Sequence, residues 1–389
     1  QDPNVLGVET KFEEITAKGS RLLNNLPLKL QQRSVSEFSV PWLPQITPKF
    51  AQPYFKAAQI KPDLVNLHWV NYNYLQIEAI QKFQVPLVWT LHDMWPFTGG
   101  CHYSQDCDQF TKTCGACPQL NSNVEEDLSH WTWQRKFKAW QTLNLTIVTP
   151  SHWLSKRARE SSLFKDRRIE VIHNGLDTTV YRPINKQVAR QSLNLPLDRP
   201  LILFGAINAT SAKRKGFHLL QAALSHLCQN HWNDRADVVI FGASSSEELP
   251  DLGFKTHCLG RLNDDSSLAL AYAAADVFVA PSLHENLPNT LVESIACGTP
   301  CVAFNIGGIS DIIEHQKNGY LAQPYQTKDL AQGITWLLNS DRYQQLCDHA
   351  RQMAEQKFTL EIQAQHYLSL FTEILGGRRP TAELSGFSP

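Results

Sequence analysis

Short apolar runs rich in β-branched and aromatic residues recur along the chain from residue 63 onward, and segments with helical periodicity separate them. This alternation predicts parallel sheets covered by helices. Four strands are predicted in the first part of the chain, at residues 63–70, 85–93, 145–151 and 169–175. Five more are predicted in the second part, at residues 201–207, 237–243, 256–262, 276–282 and 300–308. The pattern therefore predicts an α/β protein with two Rossmann-like lobes.

A chain of 389 residues exceeds the usual size of one hydrophobic core, which supports two domains. We expect an N-terminal lobe at residues 1–178 and a C-terminal lobe at residues 179–358, with a polar, proline-bearing connector around residues 182–200. Helical patterns fill residues 328–338, 341–356 and 360–375. The last of these, at residues 359–376, is expected to pack back on the N-terminal lobe, and residues 377–389 are expected to form a flexible tail.

The overall charge excludes one class of partner. The 36 Lys and Arg nearly cancel the 37 Asp and Glu, so no nucleic-acid partner is expected. No apolar run approaches the roughly 20 residues that cross a bilayer, and no basic or apolar leader opens the chain. These features predict a soluble cytoplasmic protein. Residues 1–61 lack the apolar strand that usually begins such a lobe, which predicts an N-terminally incomplete chain.

Two glutamates flank a predicted turn between a strand end and a helix in residues 281–300. Glu285 lies in the loop at the carboxyl edge of the sheet and Glu293 lies about one turn into the helix, so both can face one crevice. The helix N-terminus between them offers unpaired amides and partial positive charge to a diphosphate. Carboxylates can accept hydrogen bonds from sugar hydroxyls. A surface loop beside a solvated helix is the alternative without a function.

Three consecutive bases, Lys213, Arg214 and Lys215, precede a glycine at the start of another predicted helix. Cations there oppose the helix dipole unless an anion compensates, so the segment favours an anion site over a solvated helix start. In the N-terminal lobe, His92 ends a predicted parallel strand at its carboxyl edge, where α/β folds bind ligands. A satisfied structural histidine is the alternative.

Four cysteines crowd into an insert at residues 100–119, with His102 beside the first; they are Cys101, Cys107, Cys114 and Cys117. Four thiolates can hold one structural zinc tetrahedrally, and the alternatives are an iron–sulfur cluster or four buried free thiols. A catalytic metal is not expected, because all four ligand positions would be filled. The nine cysteines are an odd number in a chain without a leader, so no disulfide framework is expected.

The segment at residues 281–300 resembles the Glu-x7-Glu motif of the family-4, or group 1, retaining glycosyltransferases, which have the two-lobed GT-B fold. Further segments resemble signatures of this family, at residues 149–154, 173–177, 204–217, 259–262, 307–313 and 318–324. Together the matches cover residues 63 to about 375. The resemblance implies two Rossmann-like lobes with a cleft between them, in a chain that lacks the family's first strand and glycine-rich loop.

The resemblance also implies roles for individual residues. Glu285 would contact the transferred sugar, Glu293 the nucleotide ribose, and His92 the donor sugar. Lys215 would clamp the diphosphate. Ala206 stands where relatives usually have arginine, so either Lys213 or Arg214 supplies the second charge or the clamp is weaker, and we favour Arg214. The expected catalytic residues are His92, Lys215 and Glu285. The expected donor-binding residues are Arg214, Arg261, Leu262, Leu287, Asn289, Thr290 and Glu293. Pro288, where many relatives have glycine, cannot donate an N–H.

The activity implied is transfer of a hexose from a nucleoside-diphosphate sugar to a glycan or lipid-linked acceptor, with retention of configuration and no catalytic cofactor. Polysaccharide or cell-envelope assembly would place such an enzyme at the cytoplasmic face of the inner membrane. Two alternatives remain open, a sugar-nucleotide epimerase of related fold and a catalytically impaired protein that binds nucleotide sugars. A dinucleotide dehydrogenase is disfavoured, since no G-x-G-x-x-G follows a predicted strand.

Overall fold

The computed structural model describes residues 38, 39, 62–70, 75–207, 209–243 and 250–377. The predictions for residues 1–61 and for the tail lie almost wholly outside these residues. The chain divides into two compact units. The N-terminal unit comprises the residues up to Thr149, Leu154–Val171 and the residues from Leu370 on, and the C-terminal unit comprises Pro150–Trp153 and Ile172–Ser369.

The N-terminal unit contains a four-stranded parallel sheet in the order β1-β2-β3-β4. Its strands are β1 (Val65–His68), β2 (Leu87–Thr90), β3 (Leu145–Thr149) and β4 (Arg168–Val171). The two central strands are buried along their whole length, as expected for a parallel sheet covered on both faces. All four predicted strands are confirmed, although each is shorter than its apolar run.

The connection from β2 to the helix α1 (Leu128–Trp140) contains three 3₁₀ turns, at Trp95–Phe97, Gln109–Thr111 and Pro118–Leu120, and neither an α-helix nor a named strand. Large side chains in it are nevertheless fully buried, among them Trp95 and Phe97. Asp127 caps α1 by accepting from the amides of residues 129 and 130. The second helix, α2 (His152–Glu160), follows β3.

The C-terminal unit contains a six-stranded parallel sheet in the order β10-β9-β8-β5-β6-β7. The strands are β5 (Leu201–Gly205), β6 (Asp237–Phe241), β7 (Thr256–Gly260), β8 (Val277–Ala280), β9 (Cys301–Phe304) and β10 (Gly319–Ala322). The five predicted strands are confirmed. The sixth, β10, was not predicted, because its first residue, Gly319, forms an Asn-Gly pair with residue 318, and such pairs are typical of turns.

Helices cover this second sheet and complete the alternation. They are α3 (Lys186–Ser192), α4 (Phe217–Cys228), α5 (Asp265–Ala274), α6 (Asn289–Ala296), α7 (Thr327–Leu338), α8 (Tyr343–Lys357) and α9 (Leu360–Ile374). The polar connector at residues 182–200 contains the helix α3, which was not predicted. Asn185 caps α3, and the guanidinium of Arg190 is buried against Asp276 at 2.6 Å. Residues of α9 fall in both units.

The core of the C-terminal unit lies on the two faces of its sheet, as the period of two in a strand requires. Leu201 and Leu203 point into a cluster with the helices α5, α6 and α8. Ile202 and Phe204 point to the opposite face, where α4 and α7 pack. The loops that follow these parallel strands emerge at the carboxyl edge of a sheet that helices cover on both faces.

Candidate functional site

Glu285 lies in the loop between β8 and α6, and its carboxylate is buried, with 6% of the residue exposed. Its Oε1 atom accepts from Lys215 Nζ at 2.7 Å and from Ser282 Oγ at 3.1 Å, and lies 3.1 Å from Arg214 Nη1. Burial acts to raise the pKa of Glu285, but the charges of Lys215 and Arg214 outweigh it and the pKa lies below its usual value. The carboxylate is therefore ionised at neutral pH.

The turn Lys213–Lys215 is held against this loop by backbone contacts. Leu283 N–H donates to the carbonyl oxygen of Arg214 at 2.8 Å, and Arg214 Nη1 donates to the carbonyl oxygen of His284 at 2.8 Å. Gly216 has φ +73°, and a Cβ there would lie 1.8 Å from the Pro281 oxygen, so only glycine allows this approach. Lys213, in contrast, is exposed. The structure thus brings Arg214, rather than Lys213, to Lys215 and Glu285.

A Gly-Gly step after β9 supports the same loop from the other side. Gly307 has φ +55°, and a Cβ there would lie 1.7 Å from the carbonyl oxygen of Glu285. Gly308 N–H donates to the carbonyl oxygen of Asn286 at 2.9 Å, and Ser151 Oγ donates to Asn286 Oδ1 at 2.6 Å. The backbone at residues 285 and 286 is therefore fixed from two directions.

Glu293 lies on α6 in a separate hydrogen-bond network. The hydroxyl of Tyr272 donates to Glu293 Oε2 at 2.8 Å. Burial raises the pKa of Glu293, the hydrogen bond from Tyr272 opposes that shift, and the charge of Asp265 adds to it. Tyr272 is itself fully buried. The second glutamate is thus held in one orientation by a side chain from α5.

The remaining residues that were predicted to bind the nucleotide sugar lie in two places, around the start of α6 and after β7. Leu287 is buried, Asn289 is exposed and Thr290 is half-buried at the start of α6, whose N-cap Pro288 makes no side-chain capping bond. Arg261 and Leu262 follow β7, which is the edge strand of the sheet and is separated from β8 by β5 and β6. Arg261 is exposed, whereas Leu262 packs against the core.

His92 follows β2 in the N-terminal unit and belongs to a chain of side-chain hydrogen bonds. Thr90 Oγ1 donates to Asn66 Oδ1, which directs the Asn66 amide nitrogen toward His68 Nε2 at 3.0 Å. His68 must then carry its proton on Nδ1 and donate it to His92 Nε2 at 3.0 Å. Because Nε2 of His92 accepts this hydrogen bond, the neutral imidazole carries its proton on Nδ1. His92 is therefore a hydrogen-bond donor through Nδ1.

The surroundings of His92 keep it neutral. Burial lowers its pKa to about 4, the neighbouring His68 adds to the effect, and Asp93 opposes it. The indole of Trp69 stacks over the imidazole with ring centroids 6.2 Å apart. The Asp93 carboxylate pairs with a different histidine, since its Oδ2 lies 2.6 Å from His102 Nδ1.

The four clustered cysteines lie in the N-terminal unit beside a buried lysine. Burial raises the pKa of Cys114 to about 12 and raises that of Cys101 and Cys117. Burial also lowers the pKa of Lys136 to about 7, and its ammonium lies 3.7 Å from the centroid of the Trp95 indole. Sequence reasoning did not identify Lys136, because its place in α1 resembles a solvated helix position.

Three potential metal ligands meet in the C-terminal unit, at His152, His173 and Asp311, with their ligand atoms within 4.8 Å of one another. Their hydrogen bonds already have structural partners. Asp311 Oδ2 accepts from the backbone N–H of His152 at 2.7 Å, at the start of α2, and His173 Nδ1 is 2.7 Å from the Pro150 carbonyl oxygen, to which it donates. We interpret this group as a helix cap rather than a metal site.

Two family profiles match consecutive parts of the chain. The profile described as Glycosyltransferase Family 4 matches residues 16–180, and the one described as Glycosyl transferases group 1 matches residues 185–357. The chain belongs to the group 1 glycosyltransferases. The second profile covers Glu285, Lys215 and Glu293, the polar residues described above in the C-terminal unit.

Individual relatives of this group 1 glycosyltransferase are distant. D-inositol 3-phosphate glycosyltransferase 2 of Catenulispora acidiphila is 29% identical over 44% of the chain and 43% of its own length. D-inositol 3-phosphate glycosyltransferase of Nocardioides sp. is 25% identical over 76% of the chain and 64% of its own length. The chain thus spans less than two thirds of the length of these curated relatives.

Solved structures show that this group 1 glycosyltransferase has the GT-B fold of two Rossmann-like lobes. Sucrose-phosphate synthase from Thermosynechococcus elongatus superposes with a TM-score of 0.65 at 19% identity, covering 88% of this chain and 83% of that one. HepE from Anabaena in complex with UDP-glucose superposes with a TM-score of 0.61 at 19% identity, covering 94% of this chain and 97% of that one. In the described part of the chain, no helix is both long and apolar enough to traverse a bilayer.

The pH dependence of stability tests the environment of His92 in this group 1 glycosyltransferase. Between pH 6.5 and about 4 the unfolded chain binds a proton at His92 that the folded chain excludes, so folding stability falls as pH falls through this window. We expect His92→Asn to lose less stability than the parent over that window, as measured by thermal unfolding at each pH. Equal pH profiles of parent and variant would contradict a buried, neutral His92.

Proposed function

We propose that this chain transfers a hexose from a nucleoside-diphosphate sugar to a glycan or lipid-linked acceptor with retention of configuration, as the family resemblance implies. The observation that carries the proposal is the ion cluster of Lys215, Arg214 and Glu285 at the carboxyl edge of the C-terminal sheet, two cations sharing one buried carboxylate. The cluster carries one net positive charge, which suits a diphosphate. The UDP-glucose complex of HepE supports a donor of this class.

The chemistry proposed for this cluster is electrostatic. As the bond from sugar to diphosphate breaks, negative charge grows on the leaving phosphate, and Lys215 and Arg214 would stabilise it together with the amides of Asn289 and Thr290 at the start of α6. Such preorganised donors need no catalytic metal. Both cations have fixed positions, because Arg214 Nη1 donates to the His284 carbonyl oxygen and Lys215 Nζ donates to Glu285 Oε1.

The two glutamates have distinct proposed roles. Glu285 is ionised, so it would accept hydrogen bonds from sugar hydroxyls and would not act as a general acid. Glu293 presents a carboxylate oriented by Tyr272 and would accept from the ribose diol. In the N-terminal unit, His92 would contact the donor sugar, as the family resemblance implies. Attack by the acceptor on the same face as the departing diphosphate is the route that retention requires here, since no second carboxylate is assigned as a nucleophile.

Calorimetric titration with UDP, GDP and their glucose and mannose conjugates tests the donor site. We expect Glu293→Gln, which keeps the shape and an acceptor for Tyr272, to weaken nucleotide binding by about 10-fold or more, since hydrogen bonds to a charged group are worth roughly 1.5–3 kcal/mol. The matched control is Glu361→Gln, an exposed glutamate on α9. Unchanged affinity in Glu293→Gln would refute the ribose assignment.

Product analysis then separates transfer from the alternatives. With the nucleotide sugar that binds, NMR of the anomeric signals of the product would show whether configuration is retained. A change of the nucleotide sugar itself in the absence of acceptor would indicate an epimerase. Tight binding without any turnover across an acceptor screen would favour the impaired protein.

A further inference from the structure

The four cysteines of the insert converge on one point, although they are spread over the irregular segment at residues 99–117, here called the cysteine loop. Their side chains line a single cavity of about 20 Å³ in the N-terminal unit, together with Phe38, Phe110 and Ser129. All four are free thiols. Four sulfur ligands that surround one small space form a site for a soft or borderline metal ion.

Four cysteine thiolates are a standard ligand set of structural zinc. The cavity that the cysteines line has a volume of about 20 Å³, and one water molecule needs about 10–15 Å³, so the cavity has room for a single ion. We propose that the four cysteines bind one Zn²⁺ ion tetrahedrally and that this ion is a structural element of the cysteine loop. The site lies outside the residues assigned to glycosyl transfer.

A backbone amide already points at one of the sulfurs, as amides do around bound metals. Gly99 N–H donates to Cys114 Sγ at 3.2 Å. The Leu120 N–H donates to the carbonyl oxygen of Cys117 at 3.0 Å, which fixes the backbone that carries this cysteine. Hydrogen bonds such as that from Gly99 orient the first ligands and stabilise the thiolate form that binds metal.

The turn that presents two of the sulfurs is backbone-strained and held in place. Three consecutive residues have positive φ, namely Cys114 at 50°, Gly115 at 120° and Ala116 at 42°. Such strain persists only where the surroundings fix it. Here Ala116 N–H donates to the Val124 oxygen at 2.8 Å, and a Cβ on Gly115 would lie 2.0 Å from the Glu125 oxygen. The backbone conformation at Cys114 is therefore preset by the fold.

The charges around the cavity suit a tetrathiolate centre. Binding of Zn²⁺ by four thiols releases four protons to solvent and leaves a net charge of −2. The fully buried ammonium of Lys136 acts electrostatically on Cys101 and Cys114, and it donates to the carbonyl oxygens of Trp95 and Thr98. It would compensate part of that charge, as a buried ion requires.

The adjacent histidine is not a fifth candidate. His102 Nδ1 is paired with Asp93 Oδ2 at 2.6 Å, and its Nε2 lies 3.2 Å from Ser39 Oγ. Both ring nitrogens therefore have partners outside the cavity. The ligand set that remains is the four sulfurs.

Zinc binding would draw the sulfurs inwards. Sulfurs around zinc lie about 3.8 Å apart, given a Zn–S distance of about 2.3 Å. Within the described ranges, the histidine and aspartate group of the C-terminal unit is the sole trio whose ligand atoms lie within 4.8 Å of one another, so no three of the cysteine sulfurs are that close together. All four cysteines line the same cavity, and rotation about their Cα–Cβ bonds would bring the sulfurs to one ion.

Elemental analysis of the full chain tests the proposal. The protein is purified under reducing conditions without a polyhistidine tag, and its metals are measured by plasma mass spectrometry. We expect one zinc per chain, no sulfide, and release of that zinc as an organomercurial titrates four thiols. Cys107→Ser and Cys117→Ser are expected to lower the zinc content at least 10-fold at a buffered free zinc that saturates the parent.

The matched control is Cys228→Ser, a half-buried thiol on α4 outside the cavity, which should keep full zinc content. If a cavity variant fails to fold, the parent alone decides, through its metal content and the cobalt-substituted absorption spectrum of a tetrahedral thiolate site. A folded parent that binds neither zinc nor cobalt would overturn the proposal. So would iron with sulfide, or a mass that shows these cysteines paired as disulfides.

Discussion

Replacement of Lys215 by alanine is expected to lower kcat/KM for glycosyl transfer by about 100- to 1,000-fold, the usual effect of removing one preorganised donor to a developing charge. The Lys215 ammonium lies 2.7 Å from Glu285 Oε1 and shares that carboxylate with Arg214. Loss of the ammonium removes charge from the proposed phosphate position. Initial rates of nucleotide release with the donor identified by calorimetry provide the measurement.

The neighbouring residue supplies the control for this experiment. Lys213 belongs to the same 3₁₀ turn and carries the same charge, but it is exposed, so Lys213→Ala should stay within about threefold of the parent. Lys215→Ala leaves the buried Glu285 carboxylate with one cation fewer. If this single variant is unstable for that reason, the double variant Lys215→Ala with Glu285→Gln removes the buried negative charge as well. A single variant that keeps more than a tenth of the parent's kcat/KM would exclude Lys215 as the principal charge at the leaving group.

Gly307→Ala is expected to destabilise the C-terminal unit by about 2–5 kcal/mol. The left-handed backbone at φ +55° costs a residue with a Cβ about 1–2 kcal/mol, and the new methyl would lie 1.7 Å from the Glu285 oxygen, which adds an overpacking cost of about 1–3 kcal/mol. Chemical unfolding followed by tryptophan fluorescence measures the loss. Nucleotide affinity should fall as well, because the clash displaces the backbone that carries Glu285.

Gly260→Ala separates the two contributions. Gly260 also has a positive φ, +65°, but no atom lies within 4 Å of where its Cβ would be. This variant should therefore show only the backbone cost of about 1–2 kcal/mol. If both alanine variants lost the same stability, the close contact between Gly307 and the Glu285 loop would have no energetic role.

The fold could be predicted from the sequence because each strand and helix of an α/β core has a local pattern of apolar and polar residues. Each predicted strand of the C-terminal unit places alternate residues on opposite faces, as Leu203 and Phe204 do. The helix α3 escaped prediction because most of its seven residues are polar. Its Arg190 is buried against partners that include Asp276, which lies 86 residues away. Such a partner has no local signal.

The candidate site was only partly readable for the same reason. The two glutamates and the basic turn stand in short motifs, but the contact between Lys215 and Glu285 joins residues 70 positions apart. Tyr272, which orients Glu293, looked like an ordinary core residue of an alanine-rich helix. His68 gave no signal either, because its role depends on the parallel register of β1 and β2, which sets His68 opposite Thr90.

The carboxylate of Glu285 gives the proposed phosphate site an internal counter-ion. An arriving diphosphate competes with that carboxylate for Lys215 and Arg214, so part of the attraction is cancelled before any contact forms. On release of the nucleotide, the two cations would pair with the Glu285 carboxylate again, so neither the carboxylate nor the cations would be left buried without a counter-ion. The proposed site would thereby bind the diphosphate less tightly but release it more readily.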